Sequence, residues 1–138
     1  MAIVSLTSIP PRFPKLFKTL DSLKRQRLNS VEKIELWLPN RFKRFPDFEV
    51  NNLSLPDGVE LRPAEVDLGP ATKVLPAAMA WQDVGVNLLY CDDDKEFSPL
   101  WAAGFIKSSK EYQAKGFKDF AVSAIGVCVD NFSMAKSN

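Results

Sequence analysis

The stretch that most constrains the fold is residues 87–94, where the apolar sequence Asn-Leu-Leu-Tyr-Cys ends in three consecutive aspartates. The run is short, rich in large apolar side chains and preceded by Gly85, which is typical of a buried strand. Open α/β sheets bind their ligands beyond the carboxyl ends of strands. The three acids therefore occupy a position that is typical of ligand-binding residues. An acidic turn facing solvent is the alternative interpretation.

The charges of these acids favour a cation site. Two carboxylates about 6 Å apart repel by roughly 3 kcal/mol at an effective dielectric of ~20, and by under ~1 kcal/mol in water. Strand alternation predicts that Asp92 and Asp94 point the same way, so a partly buried pair would need a cation. Carboxylate oxygens suit Mg²⁺, Mn²⁺ or Ca²⁺, and Mg²⁺ tends to bind one or two carboxylates together with a substrate phosphate. The pattern predicts a metal–phosphate site.

Composition bounds the class of protein. The chain has 138 residues, of which 46% are apolar and 25% charged, and these values predict one globular domain over residues 1–130 with a flexible tail at 131–138. A net charge of +1 gives no support to nucleic acid binding. No apolar run approaches the ~20 residues that span a bilayer. The first residues enter a strand pattern without a secretory signal.

The rare residue types exclude several chemistries. Histidine is absent, which removes histidine-based acid–base catalysis, Ser-His and Cys-His nucleophile pairs and His-ligated zinc. Cys91 and Cys128 both lie in apolar runs, so buried thiols are expected rather than a disulfide framework. We expect a cytoplasmic protein, with contact to a membrane surface as an open alternative.

Strand and helix patterns alternate along the chain. Strands are predicted at 3–7, 31–38, 59–66, 85–91 and 120–129, and helices at 13–28, 74–81 and 98–115. Pro63 marks the third strand as an edge or ends it early. This order predicts an α/β fold with a mostly parallel sheet and helices on both faces. Residues 41–48 mix bases with phenylalanines, and an irregular segment packed through its rings is favoured over a phosphate or membrane contact.

The phosphate-binding motifs of two large classes are missing. Residues 69–73, Gly-Pro-Ala-Thr-Lys, carry a lysine without the GxxxxGK[ST] spacing, and no GxGxxG follows the first strand. The sequence therefore argues against a P-loop NTPase and against a dinucleotide-binding Rossmann domain. An aspartyl-phosphate enzyme is disfavoured because the acids follow the fourth predicted strand and not the first.

Three motifs together resemble a known family, the GT-A glycosyltransferases. Residues 4–12, Val-Ser-Leu-Thr-Ser-Ile-Pro-Pro-Arg, look like the first strand and turn of a bacterial subgroup whose sequences begin with "TTIPSR"-like segments. Residues 67–73, Asp-Leu-Gly-Pro-Ala-Thr-Lys, look like the segment before its Asp-x-Asp strand, and Asp92 to Asp94 supply that motif. The resemblance covers residues 3–106, which implies a truncated, GT-A-like, Rossmann-related domain.

The resemblance implies an activity and a ligand set. It implies metal-dependent transfer of a sugar from a nucleoside-diphosphate sugar, of the UDP or GDP type, to a sugar or glycan acceptor. Asp94 would bind Mn²⁺ or Mg²⁺, and Asp92 would contact ribose or share the metal. The remaining residues that the family assigns to the nucleotide sugar are Thr7, Ser8, Ile9, Arg12, Asp67, Lys73 and Asp93. For Lys73 and Arg12, an ordinary basic residue at a helix start is the alternative.

The chain also departs from the family. Members are usually much longer, and the catalytic carboxylate of inverting enzymes lies in their second half. Asp119 and Asp130 are weak candidates for that base. A non-catalytic nucleotide-binding or protein-interaction domain is therefore the alternative function, and a metal-dependent phosphohydrolase is a third. A homodimer is expected, because a shortened domain of this kind leaves a sheet edge uncovered.

Overall fold

Four parallel strands form the sheet within the described residues, and their order places a switch point beside the first strand. The computed structural model describes residues 2–50, 53–118 and 120–124. The strands are β1 (Ala2–Leu6), β2 (Val31–Pro39), β3 (Val59–Ala64) and β4 (Asn87–Tyr90), in the order β3-β2-β1-β4. All three pairings are parallel. The chain thus builds outward from β1 through β2 to β3, and then returns to add β4 on the other side of β1.

Two helices cover one face of this sheet. Helix α1 (Phe13–Lys24) carries Pro14 in its first turn, where the missing N–H costs no hydrogen bond. The apolar side of α1 packs against the even-numbered side chains of β1 and β2. Helix α3 (Trp101–Ala114) packs against the same side chains. Helix α1 ends before the predicted residue 28, because Leu28 and Asn29 form a turn with φ angles of 63° and 47°.

The remaining helix, α2 (Leu75–Trp81), lies between α1 and α3 in the sequence and covers the other face of the sheet. Its Ala77 packs against Trp37 and Ala64. Below it lies Glu35, which is fully buried and whose Oε2 accepts hydrogen bonds from the indole Nε1 of Trp37 and of Trp81, both at 3.1 Å. The predicted α/β architecture, with a parallel sheet between helices, is confirmed for the described residues.

Other predicted element boundaries are also corrected, and β3 ends at Ala64 rather than at residue 66. Strand β4 begins at Asn87, because Gly85 adopts a φ of +69° in the turn before it. Helix α3 begins at Trp101, after the turn that Ser98 starts. Residues 120–124 form no strand, and the ring of Phe120 lies 5.6 Å from that of Tyr112 in α3. The rest of the predicted fifth strand and the predicted tail lie outside the described residues.

The edge position predicted from Pro63 is confirmed, since β3 is the outer strand next to β2 and an edge tolerates a residue without an N–H. Within the described ranges, no helix combines the length and the apolar character needed to cross a bilayer.

Buried Glu35 generates a stability prediction. Glu35→Ala removes the acceptor of two indole N–H groups and the carboxylate 3.7 Å from the Nε of Arg62. Unpaired buried donors and a broken ion pair together lower the free energy of unfolding by about 3 kcal/mol. The measurement is urea denaturation.

The matched control is Glu60→Ala in β3, whose carboxylate pairs with Lys33 in a more exposed position. A loss of under about 1 kcal/mol is expected there. Equal losses in the two variants would contradict a special role for the buried carboxylate.

Candidate functional site

A pocket of about 270 Å³ opens at the carboxyl ends of the strands. It lies at the switch point between β1 and β4, where open α/β sheets bind their ligands. Its walls come from the ends of β1 and β2, from the segment after β3 and from the acids after β4. The lining residues are Thr7, Ser8, Ile9, Arg12, Pro39, Phe42, Arg44, Phe45, Asp67, Gly69, Pro70, Lys73, Asp92 and Asp93. All eight residues predicted to bind the nucleotide sugar are among them.

Asp93 is the buried anchor of this pocket. One carboxylate oxygen accepts a hydrogen bond from Ser8 Oγ at 2.5 Å, and the other lies 3.0 Å from Nη2 of Arg12. The main-chain carbonyl of Asp93 accepts a hydrogen bond from Thr19 Oγ1 in α1, at 3.0 Å. Asp93 therefore fastens the end of β4 to the end of β1 and to α1.

The flanking acids pair with different cations. Asp92 Oδ1 lies 2.6 Å from Lys73 Nζ, and Asp94 Oδ2 lies 2.7 Å from Nη2 of Arg12. The hydrogen bond and the charge of Lys73 lower the pKa of Asp92 below its ordinary value. Because β4 ends at Tyr90, strand alternation does not extend to Asp94. In the described part of the chain, no three acidic or cysteine side chains gather as a cation cage.

Lys73 is positioned by its own main chain. A short 3-10 turn, Gly69–Lys73, follows β3, and its Gly69 adopts a φ of 60° that favours glycine. Ser5 Oγ in β1 donates to the carbonyl of Lys73 at 2.6 Å. The two oxygens of Asp67 accept from the backbone N–H of Gly69 and of Lys43, both at 2.9 Å, so Asp67 braces the pocket wall that it lines.

The segment after β1 forms the opposite wall. Thr7 Oγ1 donates to the carbonyl of Trp37 at 2.7 Å and joins the ends of β1 and β2. A 3-10 turn at Pro10–Arg12 follows, closed by a hydrogen bond from the N–H of Arg12 to the carbonyl of Ile9 at 2.8 Å. Its two prolines stiffen the turn that presents Arg12.

Six lining residues were not among those predicted from the sequence, namely Pro39, Phe42, Arg44, Phe45, Gly69 and Pro70. Phe42 is buried, as the packed interpretation of residues 41–48 expected, and its ring contacts those of Phe45 and Phe48. Yet Arg44 and Phe45 line the pocket, with the guanidinium 5.9 Å from the ring centroid. Their position after β2 was the available signal, because the carboxyl ends of parallel strands meet at one edge of the sheet.

A larger groove adjoins the pocket. The described residues form about 730 Å³ of open space between β4, α3 and residues 118 and 120–124, with Asp92 lining both cavities. Tyr90, Phe97 and Trp101 contribute aromatic surface to this groove. The two weak candidates for a catalytic base, Asp119 and Asp130, lie outside the described residues.

No family model, curated protein or solved structure gives a significant match to this chain.

The thiol beside the acids generates a reactivity prediction. Cys91 is buried as expected, and burial raises its pKa to about 12. At pH 8 only about one thiol in ten thousand is then ionised, and the thiolate is the reactive form. Cys91 is therefore expected to resist iodoacetamide at pH 8.

The measurement is mass spectrometry of a Cys128→Ser variant, which leaves Cys91 as its one thiol. The same variant in urea is the control and is expected to alkylate rapidly. Rapid labelling of the folded protein at pH 8 would contradict the raised pKa.

Proposed function

We propose that the chain is a GT-A-like, metal-dependent glycosyltransferase domain that binds a nucleoside-diphosphate sugar in the pocket between β1 and β4. The observation that carries the proposal is the meeting of three distant segments, 7–12, 67–73 and 92–94, around one pocket at the switch point. These are the same segments in which the sequence resembles the glycosyltransferases. Their convergence is what a shared ligand would require.

The pocket has a charged part, made by the acids and the bases paired with them, and an aromatic part. Arg12 and Lys73 offer two cations beside the acids and are the proposed partners of the diphosphate. Arg44 pairs with no carboxylate among the described residues and adds a third cation on the wall that holds Phe45. The nucleoside is proposed to lie against this wall and against Thr7 and the residues that follow it.

The donor atoms present fit Mn²⁺ or Mg²⁺. The carboxylates of Asp92 and Asp94 would hold the ion, since Mg²⁺ usually takes only one or two carboxylates and completes its shell with water and substrate phosphate. The bound ion would neutralise charge on the departing diphosphate. The protein would orient the donor through Arg12 and Lys73, and the groove beside Asp92 gives room for the sugar and its acceptor.

One observation favours the alternative, a non-catalytic domain. Each of the three aspartates already has a cation in the protein itself, and Asp93 also has the hydroxyl of Ser8. Structural ion-pair networks have the same appearance. Turnover separates the two functions, because only a transferase releases nucleoside diphosphate from a sugar nucleotide. Release of phosphate from simple esters would favour a phosphohydrolase instead.

The proposal predicts metal-dependent nucleotide binding. Calorimetric titration of UDP and of GDP is expected to show binding of one of them in Mn²⁺, and Asp94→Ala is expected to weaken that binding about tenfold or more, the effect of losing ~1.4 kcal/mol. Removing Mn²⁺ with a chelator is expected to have a similar effect on the wild type.

The matched control is Asp83→Ala, which removes an exposed aspartate outside the pocket and should leave the affinity unchanged. Absence of UDP and GDP binding with and without Mn²⁺ would overturn the proposed function.

A further inference from the structure

We infer that Lys73 and Arg12 are built-in counter-ions of the acids, which oppose the binding of a divalent cation until a diphosphate takes up their positive charge. This inference rests on the proposed function and adds the part that the two bases play in it. It is carried by the ion pairs of the pocket and by the unequal burial of their members.

Lys73 and Asp92 form the first counter-ion pair. The lysine side chain is only 15% exposed, whereas that of Asp92 is 66% exposed, and the two atoms in contact are 2.6 Å apart. A largely buried ammonium is costly without an anion beside it. Ser5 fixes the main chain of Lys73, so the ammonium remains at the pocket wall. The carboxylate of Asp92 is therefore the member of the pair that solvent and ligands reach.

Arg12 and Asp94 form the second pair. Arg12 bridges Asp94 at 2.7 Å and buried Asp93 at 3.0 Å. Asp93 keeps the hydrogen bond from Ser8 whatever Arg12 does. The contact with Asp94 is therefore the exchangeable one, and Asp94 is the more exposed of the two acids that Arg12 touches.

Either ligand alone would leave a charge unpaired. A cation bound by Asp92 and Asp94 would take the acids from Lys73 and Arg12, and the largely buried ammonium of Lys73 would lose its anion. A diphosphate bound by Lys73 and Arg12 would release two aspartates beside its own negative charge. When both bind, the cation pairs with the acids and the diphosphate with the bases. Every charge then keeps a partner, which makes the two binding events mutually favourable.

The test measures the binding of Mn²⁺ alone. A mutation in a binding site usually weakens binding, whereas this one is expected to strengthen it. Lys73→Met removes the competing cation at similar side-chain length, so it is expected to tighten Mn²⁺ binding about fivefold or more while weakening the binding of UDP or GDP in Mn²⁺. Free Mn²⁺ is measured by its electron paramagnetic resonance signal, up to millimolar concentrations. Lys73→Gln, which keeps a hydrogen-bond donor without the charge, is expected to act in the same direction.

The control is Lys95→Met, which makes the same change of charge one residue beyond Asp94, on an exposed lysine that forms no salt bridge within the described ranges and whose charge lowers the pKa of Asp92 less than that of Lys73 does. Its Mn²⁺ affinity is expected to change less than twofold. Thermal unfolding of all variants checks that each is folded.

The outcomes separate this inference from the proposed function. If UDP or GDP binds the wild type in Mn²⁺ but neither Lys73 variant tightens Mn²⁺ alone, the counter-ion role is overturned and the nucleotide site stands. Equal tightening by Lys95→Met would also overturn it, because a general field would then explain the effect. If no nucleoside diphosphate binds the wild type in Mn²⁺, the proposed function fails and the inference fails with it.

Discussion

The pocket depends on one buried carboxylate. Asp93 follows the last residues of β4, and a carboxylate at that depth is tolerated only when its oxygens are paired. Ser8 and Arg12 supply the partners from the segment after β1, and Thr19 holds the carbonyl of the same residue from α1. Satisfying Asp93 therefore brings the ends of β1 and β4 together. The guanidinium that completes this pairing is also the one that reaches Asp94.

A second buried carboxylate organises the opposite face of the sheet. Glu35 in β2 holds the indole of Trp81 and so fixes α2 against the strands. The turn that leads into α2 carries Lys73, and the carbonyl of Trp37 receives the hydroxyl of Thr7 at the pocket rim. The two buried acids thus act on different layers of the fold. Asp93 holds Arg12 directly, whereas Glu35 fixes the helix that follows Lys73.

The architecture could be predicted because its signals are local. Helical spacing and strand alternation can each be recognised from a single segment of the sequence. Four strands and three helices lie within a few residues of their predicted positions. Alternation in β2 places Glu35 on the side opposite the apolar residues but does not show that it is buried, because a parallel sheet is covered on both faces. The prediction of a fifth strand is wrong for its described residues, for a related reason. Strand composition is local, but pairing with a neighbour is not, and Phe120 packs on α3 instead.

The sequence allows a prediction of which residues meet at the site, but not of how they pair. Strand ends and motif resemblance identified the residues that meet, since the carboxyl ends of parallel strands share one edge. The pairing of each acid could not be predicted, because β4 stops at Tyr90 and the partners Ser8 and Lys73 lie far away in sequence. That pairing changes what the acids can do. Three aspartates that look strongly anionic in the sequence are nearly neutralised by Arg12 and Lys73, so their capacity to bind a cation depends on what else enters to receive those two positive charges.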